Sequence, residues 1–183
     1  MKWAYIALGC LIMYLIVRIS PISWVSPSRT DLPNVGDLKY DLMPPALLDR
    51  NIPEVDVRYL AKHGSMYQRL DARSYDEYEV SHLSQAHWVG YDDFQEERVE
   101  GLDKNQTTVV YCSVGYRSEK VVQKLIALGF TNVYNLYGGL FEWMNRGHEV
   151  VDMSDHVTSQ IHAYNKVWGV WVSRGQKVYR ASR

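Results

Sequence analysis

The chain has 183 residues, room for one ordinary domain with appendages rather than a multidomain assembly. A net charge of −1 with 22% charged residues excludes the basic profile of a nucleic-acid binder, so no nucleic-acid partner is expected. Two cysteines, Cys10 and Cys112, cannot build a disulfide framework. The scattered histidines do not pair with them at zinc spacing, so no metal and no cofactor are implied.

The segment from Trp3 to Val17 carries no charge. If Arg18 reaches back to the interface, the apolar run extends to Ile22, close to the ~20 residues a membrane-spanning helix needs. Trp3 and Trp24 flank it as aromatic anchors. Residues 1–22 are therefore predicted to be a single-pass transmembrane anchor, which makes the membrane a partner. The rival is a cleaved signal sequence, but no small-x-small site follows, and Ser26 precedes Pro27. Lys2 on one side, against Arg18, Arg29 and Lys39 on the other, places the C-terminal domain on the cytoplasmic side. Residues 23–51, with most of the chain's prolines among Ser, Asp and Asn, read as a linker.

Residues 52–151 alternate between short β-branched runs and helical patterns. Strands are predicted at 52–55, 67–70, 86–89, 107–111 and 133–136. Helices are predicted at 56–62, 74–80, 118–128 and 140–145. Ser74 with Glu77 three residues on has the spacing of a capping box, and the acidic stretch 92–101 is expected to be helical at its start. This alternation predicts an α/β fold, a parallel sheet with helices on both faces. Residues 152–183 form a basic extension, with Lys166, Arg174, Lys177, Arg180 and Arg183 and no acidic residue after Asp155. Runs at 167–172 and 177–179 around Ser173-Arg174-Gly175-Gln176 predict a β-hairpin. The extension offers either a basic patch for a membrane surface or a partner, or tryptophans, Trp168 and Trp171, that pack on the domain.

The chemistry concentrates in Cys112-Ser113-Val114-Gly115-Tyr116-Arg117-Ser118. Cys112 sits where a strand ends and a helix begins. Loop N–H groups and the helix N-terminus favour a thiolate there. An ordinary cysteine of pKa about 8.5 is only ~3% ionised at pH 7, whereas a pKa of roughly 6 would ionise ~90% of it. Gly115 supplies the backbone freedom that a tight reactive loop needs, and Arg117 adds a cation nearby.

Leu70-Asp71-Ala72-Arg73, Tyr75-Asp76-Glu77-Tyr78 and Ser81-His82-Leu83 precede this loop, and Leu125, Gly129-Phe130, Asn132-Val133-Tyr134, Leu136 and Gly138-Gly139 follow it. In this order and spacing they resemble the rhodanese family of sulfurtransferases over roughly residues 52–151. Where the family commonly has Gly-His-Ile-Pro-Gly-Ala, this chain has Ser81-His82-Leu83-Ser84-Gln85-Ala86. Four residues separate Cys112 from Arg117. The related dual-specificity phosphatases use a loop one residue longer, and the shorter loop suits a sulfur atom rather than phosphate.

The resemblance implies a Cys112 persulfide. Its sulfur would come from an anionic small-molecule donor such as thiosulfate and pass to cyanide, a thiol or a protein acceptor. Loop residues 113–118 would cradle that sulfur, and Arg117 would orient the donor if it faces the pocket. Asp71 and Arg73 are read as structural, fastening a strand end to neighbouring turns, for instance by pairing with Glu77; the alternative makes Arg73 a second cation at the site. The other readings are a membrane-anchored persulfide carrier or redox sensor without turnover, and an arsenate reductase or phosphatase relative. Loop length disfavours the phosphatase. The lack of a second cysteine in the domain disfavours a reductase that resolves internally.

Overall fold

The computed structural model describes residues 52–180. The anchor predicted for 1–22, the linker 23–51 and Arg183 lie outside the described residues. Among the described residues, no helix is long and apolar enough to cross a membrane.

The centre is a five-stranded sheet of β1 (Glu54–Val55), β2 (Gln68–Asp71), β3 (Ala86–Trp88), β4 (Thr108–Tyr111) and β5 (Val133–Leu136), in the order β1-β5-β4-β2-β3. All pairings are parallel, as the alternating pattern predicts; Leu70 lies opposite Val110 and Val110 opposite Asn135. Strand β4 is buried at every position, the pattern of a parallel strand covered on both faces. Its side chains alternate between two apolar clusters. Val109 and Tyr111 join one, with Leu60, Leu136, Phe141 and Met144. Val110 and Cys112 join the other, with Leu70, Val121, Val122, Leu125 and Phe130.

The helices are α1 (Val57–His63), α2 (Tyr75–Val80), α3 (Tyr116–Ala127) and α4 (Gly139–Asn145). The Asp56 side chain accepts the Tyr59 N–H at 2.7 Å and starts α1. The predicted capping box forms at the start of α2, where the Ser74 N–H donates to the Glu77 carboxylate at 3.2 Å. Two local expectations need correction. Helix α3 begins at Tyr116, two residues before the predicted start, because Gly115 turns the chain in the left-handed region at φ +113°. In 92–101 the helical turn is a short 3-10 segment at Glu96–Val99, at the end of the stretch rather than its start.

The extension does not form the predicted hairpin. Strand β6 (Val150–Val151) pairs antiparallel with β7 (Val157–Thr158), and β8 (Gln160–His162) pairs in parallel with β9 (Gln176–Val178). Trp168–Trp171, read as part of a strand, is a 3-10 turn. The reason is burial. Ile161, Ala163 and Val172 enter the first apolar cluster beside Phe141, Met144 and Val150, with Trp168 and Trp171 packed against it. A flat two-stranded ribbon over 167–179 would leave that surface wet, whereas closing the chain across it buries it. Asn145 at the end of α4 fastens the crossing. Its side chain donates to the Trp171 carbonyl at 2.8 Å and accepts from the Ser173 N–H at 2.8 Å.

Candidate active site

The carboxyl ends of β2 and β4 point the same way, and the chain leaves these neighbouring strands in opposite directions along the sheet, β2 toward β3 and β4 toward β5. In open α/β sheets the crevice at such a point is where ligands bind. Cys112 stands there, directly after β4, 1% exposed. Its Sγ accepts the Gly115 N–H at 3.1 Å. Gly115 is the residue preceding α3, so the sulfur lies at the N-terminus of a 12-residue helix whose first N–H groups have no acceptor within the helix.

The loop is held from outside by its carbonyls. Leu140 N–H, in the first turn of α4, donates to the Cys112 carbonyl at 2.8 Å, and Phe141 N–H donates to the Ser113 carbonyl at 3.0 Å. This close approach requires Gly139, which has φ +59°; a Cβ there would lie 2.4 Å from the Cys112 carbonyl oxygen. Ser118 Oγ bridges the Gly115 carbonyl at 3.1 Å and Asn135 Oδ1 at 2.7 Å. The chain end of β5 is thereby tied to the start of α3.

Arg117 lines the cavity, but its charge is already paired. Its Nη1 and Nη2 donate to the two Glu77 oxygens at 2.7 and 2.8 Å, and Nη2 also donates to Ser113 Oγ at 3.0 Å. Burial opposes the charge of both partners. The Arg117 hydrogen bonds and charge nonetheless bring the Glu77 carboxyl down to about 2. Glu77 and the nearby Cys112 hold the Arg117 guanidinium protonated well above its ordinary range.

Asp71 and Arg73 form a second, fully buried pair. Arg73 Nε and Nη2 donate to the Asp71 carboxylate, Nη2 at 2.6 Å, and Nη2 also reaches the Ser81 carbonyl. Burial opposes the Arg73 charge and Asp71 outweighs it. The pairing with Glu77 that the sequence suggested does not occur, because Glu77 is taken by Arg117. Neither Asp71 nor Arg73 lines the cavity. His82 stacks on Tyr78 and bonds its carbonyl at 3.0 Å, a turn contact away from the cavity. No cluster of metal-ligating side chains exists among the described residues.

The cavity holds about 390 Å³, within the range of small-molecule sites. Cys112, Ser113, Val114, Tyr116 and Arg117 from the loop line it. The remaining walls, Tyr91 and Asp92 after β3 and Tyr164 and Trp168 from the extension, were not legible as site residues. Tyr91 and Asp92 had a usable signal, since they follow a strand at the carboxyl edge of the sheet. Tyr164 and Trp168 had none, being distant in sequence and brought in by the pairing of β8 with β9. Glu77, read as a helix cap and as a partner for the Asp71–Arg73 strand end, proves instead to be the partner of the loop arginine.

The sequence model of the rhodanese-like domain matches residues 56–146. Among curated proteins, the tRNA uridine(34) hydroxylase of Sodalis glossinidius (strain morsitans) is 40% identical over 85 residues, 44% of this chain and 24% of that protein. The tRNA uridine(34) hydroxylase of Yersinia pestis (strain Pestoides F) is 35% identical with the same coverage. The chain thus spans about a quarter of the length of the curated relatives it matches. Among solved structures, a rhodanese-related protein from Thermoplasma volcanium aligns with a TM-score of 0.50 at 24% identity, over 54% of this chain and 97% of that one. The rhodanese-like domain of an Anabaena protein gives 0.50 at 24% identity, over 55% and 80%. These structural likenesses show the fold. Tyr164 and Trp168 lie beyond the residues that the sequence model matches.

Proposed function

Since residues 56–146 are a rhodanese-like domain, we propose that the chain is a sulfurtransferase that works through a Cys112 persulfide. The observation that supports this most is the Cys112 sulfur at the cavity floor, bonded by the Gly115 N–H at the N-terminus of α3. The Cys112 thiolate attacks the outer sulfur of a sulfane donor. A new S–S bond forms at Cys112, the donor's own S–S bond breaks, and its electron pair leaves with the oxidised fragment, sulfite in the case of thiosulfate. An acceptor nucleophile then attacks the outer persulfide sulfur. Cyanide leaves as thiocyanate and the thiolate returns, which is covalent catalysis in two half-reactions. The loop and helix amides stabilise the negative sulfur in both half-reactions, as an oxyanion hole does. Arg117, paired with Glu77, fixes the loop around that sulfur.

The test uses the full chain in mild detergent with thiosulfate and cyanide, following thiocyanate over many turnovers, beside Cys112→Ser. Sustained formation, lost in the variant while its melting temperature is kept, is the expected result. Turnover that persists in Cys112→Ser overturns the assignment. One sulfur taken up per chain without turnover makes the protein a carrier instead. The proposal includes residues 1–22 as the membrane anchor, with the domain on the cytoplasmic side. Release of the expressed chain by alkaline carbonate would remove that part.

A further inference from the structure

The side chains that line the cavity offer a small inorganic dianion no unpaired cation. The one lining cation, Arg117, is bonded on both arms by Glu77, and Asp92 adds a carboxylate to the wall. The buried Arg73 is matched by Asp71. His162, behind this group, is pushed below its ordinary range, chiefly by burial, and its Nδ1 accepts the Tyr164 N–H at 3.2 Å. The side chains that line the cavity therefore carry no surplus positive charge. Aromatic surface is what they supply, from Tyr91, Tyr116, Tyr164 and Trp168.

Tyr164 is the least expected of these. It adopts φ +60°, a left-handed conformation that bulky residues rarely take and that clusters at functional sites. Its ring is 5.3 Å from the Arg117 guanidinium, yet the residue stays 51% exposed. Folding alone has little to gain from a half-exposed ring on a strained backbone. Trp168 is fixed beside it by Asn165, whose Oδ1 accepts the Val167 and Trp168 N–H groups at 2.9 and 3.0 Å.

We propose that Tyr164 and Trp168, supplied by the C-terminal extension, make this pocket selective for organic sulfur carriers, small molecules whose apolar or aromatic body rests on these rings while their sulfane sulfur reaches Cys112. The proposal rests on the sulfurtransferase reading for its chemistry and on the rings for its selectivity. With benzenethiosulfonate as donor, the Cys112 thiolate takes the outer sulfur. The bond between that sulfur and the sulfonyl sulfur breaks, and benzenesulfinate leaves with the electron pair. Cyanide restores the thiolate as before, so no external oxidant or reductant enters.

The experiment compares benzenethiosulfonate with methanethiosulfonate, which has the same charge and reacting sulfur but no ring. On the full chain, kcat/KM for each is measured in the wild type, Tyr164→Ala, Trp168→Ala and Tyr164→Phe. The ratio favouring the ring should fall about tenfold in each alanine variant, mainly through KM, and return in Tyr164→Phe. In parallel, both compounds are titrated calorimetrically into Cys112→Ser, with and without Tyr164→Ala. The ring compound should bind about tenfold tighter only where Tyr164 is present. Ratios that stay within twofold across all variants overturn the selectivity and leave the sulfurtransferase standing. Ring-dependent binding without turnover of either donor overturns the sulfurtransferase and leaves the selectivity standing.

Discussion

Arg117 and Glu77, forty residues apart in sequence, meet in a two-armed ion pair with contacts of 2.7 and 2.8 Å. The Glu77 carboxylate is fully buried. It also accepts from Ser74 Oγ at 3.0 Å and from Ser113 Oγ at 2.9 Å. One residue thus starts helix α2 and secures the sulfur-holding loop.

The pH dependence follows from that pair. With its pKa brought from 4.5 to about 2, Glu77 contributes roughly 3 kcal/mol of stability. The contribution is complete above pH ~4.5 and is lost as pH falls toward ~2. Glu77→Gln should destabilise the domain by about 2–4 kcal/mol at pH 7. It should also flatten the acid limb of stability between those two pH values, as read by urea unfolding across a pH series. Because the variant leaves the Arg117 charge unopposed, its KM for thiosulfate should fall relative to that for methanethiosulfonate. An unchanged acid limb would show that the pair does not carry the linkage.

Gly139 is the contact point between α4 and the loop. Gly139→Ala places a Cβ 2.4 Å from the Cys112 carbonyl oxygen and 2.7 Å from the Ser113 carbonyl carbon. Both are backbone atoms that cannot step aside as a side chain could. A loss of about 2–4 kcal/mol is expected, with sulfur transfer abolished in the fraction that stays folded. Wild-type kcat in this variant would contradict the close approach.

The turn that departs from the family pattern carries local strain. Gln85 sits at φ +61° and is exposed, where the family commonly has glycine. The left-handed conformation costs a side-chain-bearing residue ~1–2 kcal/mol, and glycine's extra freedom in the unfolded chain offsets ~0.5–1 of that. Gln85→Gly should therefore stabilise the domain by about 0.5 kcal/mol, a small rise in melting temperature, with turnover unchanged. A drop in melting temperature would mean that the Gln85 side chain makes up for its backbone.

Asn145 controls the extension. Asn145→Ala removes its bonds to the Trp171 carbonyl and to the Ser173 and Arg174 N–H groups, at an expected loss of about 1–3 kcal/mol. Hydrogen exchange should accelerate over 164–175 before it does in β4. The selectivity for a ring-bearing donor should weaken as Tyr164 and Trp168 lose their fixed place. Uniform exchange across the domain would place the loss in global stability instead.

Much of this molecule was legible one segment at a time. Thr108–Tyr111 is β-branched and apolar on both faces, so it reads as a central parallel strand. Ser74 and Glu77 mark a helix start by spacing alone. Cys112 followed by Gly115 and a helical pattern marks a tight loop between a strand and a helix, because strand, turn and helix signals are all local. For residues 152–180 the packing of Trp168 and Trp171 on the domain was legible as one of two readings, but the path of the chain through these residues was not. Their alternating apolar residues suit a hairpin equally well, and only the unfilled surface over Phe141, Met144 and Val150 decides for a crossing that buries Ile161, Ala163 and Val172.

The sequence by itself determined the parallel α/β fold, the helix caps and the place of Cys112, since periodicity, capping and turn chemistry act between residues close in the chain. Tertiary structure alone decided that Glu77 pairs with Arg117 rather than with the Asp71–Arg73 strand end, and that Tyr164 and Trp168 wall the pocket. Ion pairing and burial depend on which surfaces meet in space, and for residues this far apart in the chain that is settled only when the sheet and its extension close together.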